Sequence, residues 1–183
     1  MEIDNKIITI TRDCDGVLIP AGEKIQLFKG THVRITQALG GDYTLYVNGN
    51  LIKISGKDSD AIGIKPEIET QADIPSEFTE ISKNQIWEKL SNVYDPEIPV
   101  NIVDLGLIYD LYTEPSEEIG ANVHIKMTLT APGCGMGPMI AEDAKNKVLS
   151  IPGVKDVNVE LVWEPQWNKD MMTEEAKLQL GML

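Results

Sequence analysis

The chain has 183 residues and a net charge of −13, with 16 Lys and Arg against 29 Asp and Glu. That balance repels phosphate backbones and excludes nucleic acid as a partner. Hydrophobic residues make up 42% and charged residues 25%, proportions that exclude global disorder. No apolar run approaches the roughly 18 residues needed to span a bilayer. The start, Met1-Glu2-Ile3-Asp4, lacks the basic and apolar regions of a signal peptide, so a cytoplasmic protein is expected. The charge is uneven: residues 1–63 are close to neutral, with seven basic and eight acidic side chains, and residues 64–183 hold nine against twenty-one. Two modules with different electrostatics are expected.

The first module, residues 1–63, reads as a small all-β domain. Ile8 and Ile10 alternate with Thr9 and Thr11 at period two. Asp15-Gly16 and Pro20-Ala21-Gly22 read as turns. Extended runs follow at Lys24–Phe28 and Val33–Thr36. Tyr43–Val47 and Leu51–Ile54 flank Asn48-Gly49, whose positive φ angles suit a tight hairpin. Residues 64–81, with Pro66 and Pro75 and a run of carboxylates, read as a linker.

The second module, residues 82–183, opens with a helix from Ser82, its expected N-cap, to Val93. Asp95-Pro96-Glu97-Ile98-Pro99 stops it, because residues before proline avoid helical angles. Leu107–Thr113 reads as a strand and 114–120 as a turn. Val123, Ile125, Met127 and Leu129 alternate with polar residues in a half-buried antiparallel strand. A glycine-rich loop leads to a helix from about Pro138 to Leu149, with Ile140, Ala144 and Val148 on one face. A last strand carries Val157, Val159, Leu161 and Trp163, and a terminal helix spans Thr173–Leu180 before Gly181. The expected fold class is therefore α+β: the all-β domain, then a compact α-β-β-α-β domain with a mixed three-stranded sheet.

Cys14 and Cys134 are the two cysteines, 120 residues apart, with no CxxC and only His32 and His124 as histidines. A disulfide framework and a self-contained zinc site are both excluded on these counts. Cys134 stands in Ala131-Pro132-Gly133-Cys134-Gly135-Met136-Gly137-Pro138, between a strand and a helix. Free backbone amides and the positive end of a helix dipole favour an anion there, so a thiolate is expected to form readily. The loop lacks the lysine of a phosphate-binding GxxxxGK[ST] loop. Thr128 and Thr130 lie on the polar face leading to it, where their hydroxyls can donate to a thiolate or sulfide. Asp95, Glu97 and Asp104 form a second group, read either as cation ligands or as turn caps. Cys14, in Arg12-Asp13-Cys14-Asp15-Gly16, reads as a turn thiol. Trp163-Glu164-Pro165-Gln166-Trp167 reads as a cover for the Cys134 loop, a partner-binding edge, or core.

The segment 95–106, the Thr128-Leu129-Thr130…Cys134 loop and the ending Trp163–Trp167 together resemble the metal–sulfur cluster biosynthesis domain over about residues 82–167. That domain occurs in SufT-type iron–sulfur cluster assembly factors and in the PaaD subunit of oxygenase systems. Arg12-Asp13-Cys14, Ile19-Pro20-Ala21-Gly22, Gln37–Gly41 and Asp58–Gly63 resemble the extra domain of SufT-type proteins. Many relatives carry Cys-Pro in the loop; here Gly135 follows Cys134 and proline is delayed to Pro138.

The resemblance implies a non-enzymatic carrier, transfer or adaptor protein acting through Cys134, with a transient iron–sulfur cluster as its only cofactor. Cys134, Asp104, Thr128 and Thr130 would face that cluster, with Asp95 and Glu97 as further metal ligands. The implied partners are the iron–sulfur assembly machinery and apo client proteins, with a homodimer pairing two Cys134 residues as one way to complete a cluster. The alternative is a thiol-dependent enzyme or an oxygenase accessory subunit.

Overall fold

The computed structural model describes residues 7–66, 81–116 and 120–182. Most of the expected linker, and residues 117–119 of the expected turn, lie outside the described residues. The chain divides into two compact units, Met1–Glu69 and Thr70–Leu183.

The first unit is a six-stranded antiparallel sheet of β1 (Ile7–Thr9), β2 (Cys14–Ile19), β3 (Lys24–Leu27), β4 (His32–Leu39), β5 (Asp42–Val47) and β6 (Asn50–Ile54). The order is β1-β4-β5-β6-β2-β3, so β1 and β3 lie at its two ends. β1 and β2 are consecutive in the chain, and Ile10 exchanges backbone hydrogen bonds with Gly30 and Thr31, just after β3. These bonds carry the β1–β4 ladder one residue further, and the sheet packs on a core of Ile10, Leu45, Ile52 and Ile54. Asn48 at φ 49° and Gly49 at φ 90° form the two-residue turn of the β5–β6 hairpin, as the Asn-Gly pair demands. Asp15-Gly16 is not a turn: both residues lie inside β2 and pair with β3. Gly16 faces the core, where an added Cβ would come within 2.6 Å of the Ile52 methyl group. A 3-10 helix, Gly56–Ile62, closes the unit.

The second unit runs α1 (Lys83–Leu90), β7 (Ile108–Pro115), β8 (Ala121–Met127), α2 (Gly137–Leu149), β9 (Val154–Leu161) and α3 (Glu174–Gln179). Ser82 caps α1 as expected. Its hydroxyl accepts from the Asn84 amide, and its own amide donates to the Gln85 side chain. The sheet order is β7-β8-β9, antiparallel for the first pair and parallel for the second. The β8 strand is therefore antiparallel on one side only. Ile140, Ala144 and Val148 form the buried stripe of α2, and Val123, Ile125 and Val157 are buried on the sheet. Thr173 caps α3 through its hydroxyl, which accepts from the Ala176 amide. Among the described residues no helix is long and apolar enough to cross a membrane.

The tight turn between Asn101 and Leu107 positions the site. Gly106 adopts φ 70°, and an added Cβ would lie 2.1 Å from the Met171 carbonyl oxygen. Replacing Gly106 by alanine combines left-handed strain with a backbone clash, so Gly106→Ala is expected to cost about 3 kcal/mol in urea unfolding. An unchanged midpoint would show that this turn is not held as described.

Candidate functional site

The carboxyl end of the parallel pair gathers the segments singled out by sequence. The Thr128 amide donates to the Leu107 carbonyl at 2.8 Å, and the Val162 amide donates to the Met127 carbonyl at 2.8 Å. Beyond these bonds both strands end, and their continuations separate. Thr128 and Leu129 turn inward and are buried, so Thr128 does not stand on an exposed polar face as the strand alternation implied. It and Thr130 line a cleft with Leu129, Pro132, Trp163, Glu164, Gln166 and Trp167.

Cys134 lies in the loop between β8 and α2 and is partly exposed. Its amide donates to the Ala131 carbonyl at 3.4 Å, and its carbonyl accepts from the Gly137 amide at 3.1 Å. The loop thus winds directly into α2, with no side-chain cap and with Pro138 in the first turn. An added Cβ at Gly137 would come within 2.4 Å of a Leu129 methyl group, so a side chain there would displace Leu129.

The aromatic segment lies beyond β9. Trp163 is not a strand residue; it is 44% exposed at the cleft. Trp167 is held by its indole N–H, which donates to the Leu105 carbonyl at 2.8 Å. Tyr109 sits at a register shift in β7 and donates its hydroxyl to the Pro165 carbonyl at 2.7 Å. Sequence reasoning did not single out Tyr109; a bulge leaves no periodic signal.

The carboxylates of 95–104 build turns. Asp95 is buried, and its Oδ1 accepts from the amides of Glu97 and Ile98 at 2.8 and 2.9 Å. Asp104 accepts from the Asn101 side chain at 2.6 Å, and Asn101 Oδ1 in turn accepts from the amides of Val103 and Asp104. The ligand role expected for Asp95 and Glu97 has no support in this geometry. Among the described residues no three His, Cys, Asp or Glu side chains gather closely enough to hold a metal ion. His124 stacks on Tyr112 with ring centroids 4.8 Å apart and faces Glu114 at 3.4 Å.

The family model described as iron-sulfur cluster assembly protein matches residues 83–161. An Fe-S protein maturation auxiliary factor of Porphyromonas gingivalis is 51% identical over 104 residues, 56% of this chain and 93% of that protein. The chain belongs to the iron–sulfur cluster assembly protein family. The Fe-S protein maturation auxiliary factor YitW of Bacillus subtilis is 43% identical over 103 residues, 56% of this chain and 97% of that protein. A solved domain of unknown function from Bacillus anthracis is 41% identical, with 55% of this chain and 92% of that one covered at a TM-score of 0.47.

The family match leaves the first unit unassigned, yet its motifs also meet. Arg12 donates through Nε and Nη2 to the two carboxylate oxygens of Asp60, and through Nη2 to Asp58 at 2.9 Å. The Thr11 amide donates to the Ala61 carbonyl. The Arg12-Asp13-Cys14 and 58–63 segments are therefore one structural feature. The guanidinium bond holds the Asp60 carboxyl below its ordinary range. Cys14 is not a turn thiol. It starts β2 and is 4% exposed, and desolvation, helped by the nearby Asp58 carboxylate, pushes its pKa up.

Two outcomes follow. Iodoacetamide at mildly alkaline pH, read by mass spectrometry, is expected to label Cys134 in the native chain and Cys14 only after unfolding. Labelling of Cys14 at the same rate would contradict its burial. In carbon-detected titrations Asp60 is expected to ionise at lower pH than in Arg12→Gln. A depressed folded-state pKa means that this bond stabilises above the unfolded pKa and is lost as pH falls through the folded one.

Proposed function

We propose that this chain is an iron–sulfur protein maturation factor that takes iron–sulfur cargo on the Cys134 thiolate and passes it to apo client proteins. What supports the reading is a partly exposed thiol in the loop entering α2, within a family whose relatives are named maturation auxiliary factors. Relatives further off are named iron-sulfur cluster carrier proteins. The role is that of carrier or adaptor rather than enzyme.

A cluster takes about four protein ligands, and Cys134 supplies one. The others come from a small thiol, from Cys134 of a second copy, or from the client's own cysteines. Thr128 and Thr130 donate to cargo sulfide, and Asp104 adds an oxygen when it is released from Asn101. Transfer is then ligand exchange: a client thiolate replaces the Cys134 sulfur on iron. Cys134 leaves as a thiol with the proton that the client cysteine lost, and no electrons move.

Cys134→Ala is expected to keep its unfolding free energy within about 0.5 kcal/mol of the parent. In cells that depend on this chain it is expected to lower the activity of iron–sulfur enzymes several-fold. Full complementation by Cys134→Ala would overturn the reading.

A further inference from the structure

We propose that the cleft at the carboxyl end of β8 and β9 binds an arginine side chain of the client polypeptide, a proposal that rests on the reading that clients dock beside Cys134. The cleft lining contains one formal charge, the carboxylate of Glu164, and no basic residue. Its two aromatic lining residues are Trp163 and Trp167. An indole face is the negative end of a quadrupole and attracts a cation. Its edge N–H is the positive end, and in Trp167 that group is already committed to the Leu105 carbonyl at 2.8 Å.

The remaining polar groups are compatible with a donor-rich ligand. Beside Glu164, the amide of Gln166 adds an oxygen acceptor to the same lining. An anion would meet the Glu164 carboxylate with no basic group beside it. A neutral apolar side chain would leave the exposed Glu164 carboxylate unused. A guanidinium does neither: it stacks flat on an indole and presents a fork of donors to a carboxylate.

The wider field acts in the same direction, since residues 70–183 carry eight basic against nineteen acidic side chains, which draws a cationic segment toward this unit. The exposure of Trp163, 44% for a ring of that size, is what a surface for a stacking ligand requires. The cleft would thus choose which polypeptides come within reach of the thiol, and Cys134 would act on those that do.

The test follows the indole N–H signals of the full chain by NMR. It titrates N-acetyl-arginine amide against its neutral isostere, N-acetyl-citrulline amide. The Trp163 and Trp167 signals are expected to shift saturably with arginine, with citrulline weaker by on the order of tenfold. Glu164→Gln is expected to weaken arginine binding to a similar degree, and Trp163→Ala to abolish it. The dispersed spectrum of each variant checks its fold, and Trp163→Phe, which keeps a ring, is expected to retain part of the affinity. Equal binding of arginine and citrulline, absence of saturable shifts, or an unaltered affinity in Glu164→Gln would each overturn the proposal. Because the readout is binding, such a failure leaves the role of Cys134 standing. A silent Cys134→Ala would leave the arginine cleft standing in turn.

Discussion

The parallel pairing of β8 with β9 is the constraint on which the rest of the second unit depends. A parallel pair cannot be joined by a hairpin; the chain must cross the sheet, and α2 makes that crossing. The consequence is geometric. Two strands that run the same way end at the same edge, so the loop that follows β8 and the segment that follows β9 emerge side by side. The start of α2, with Cys134 in the turn before it, belongs to that edge as well. An antiparallel β8–β9 pair would send Trp163 to the opposite end of the sheet, away from Thr128 and Thr130.

Shared position alone does not hold an irregular segment in place. The chain after β9 has left the ladder, and its order comes from three anchors. Trp167 donates to the Leu105 carbonyl, Tyr109 donates to the Pro165 carbonyl, and the backbone at Met171 packs on Gly106. Each hydrogen bond contributes about 1 kcal/mol net, so neither is decisive alone. All three converge on residues 105–109, and that stretch is fixed in turn by Asn101 and Asp104. A turn read from sequence as capping or metal binding is therefore the support under the aromatic side of the cleft.

Several elements were legible because their signals are local. Asn48-Gly49 specifies its turn through φ angles, Ser82 and Gln85 specify the start of α1 through reciprocal capping, and Ile140, Ala144 and Val148 specify the face of α2. The misreadings have equally physical causes. Asp15-Gly16 resembles a turn, yet Gly16 lies inside β2, where an added Cβ would press on Ile52 of the neighbouring strand. Cys14 was misplaced with it, since in a strand its parity with Gly16 directs it to the core. Thr128 and Trp163 were assigned by extending a period-two pattern past the point where the strands stop, and no sequence signal marks that point. The cleft itself joins residues 128–132 to residues 163–167, and only tertiary structure brings them together.

A single thiol has a further implication for the proposed role. A protein that supplied every ligand of a cluster would bind it far more tightly than a client whose cysteines have yet to fold around it. Cargo would then stay with the carrier. With one thiolate among its ligands, the proposed carrier would lose little when that sulfur is replaced, and the client, with its full ligand set, would win the exchange. In the proposed role, incompleteness would set the direction of transfer, but it carries no information about which client is served. Recognition must come from groups that do not touch the cargo. The aromatic and acidic side of the cleft, built from residues after β9 and anchored independently of the Cys134 loop, is suited to that separate task.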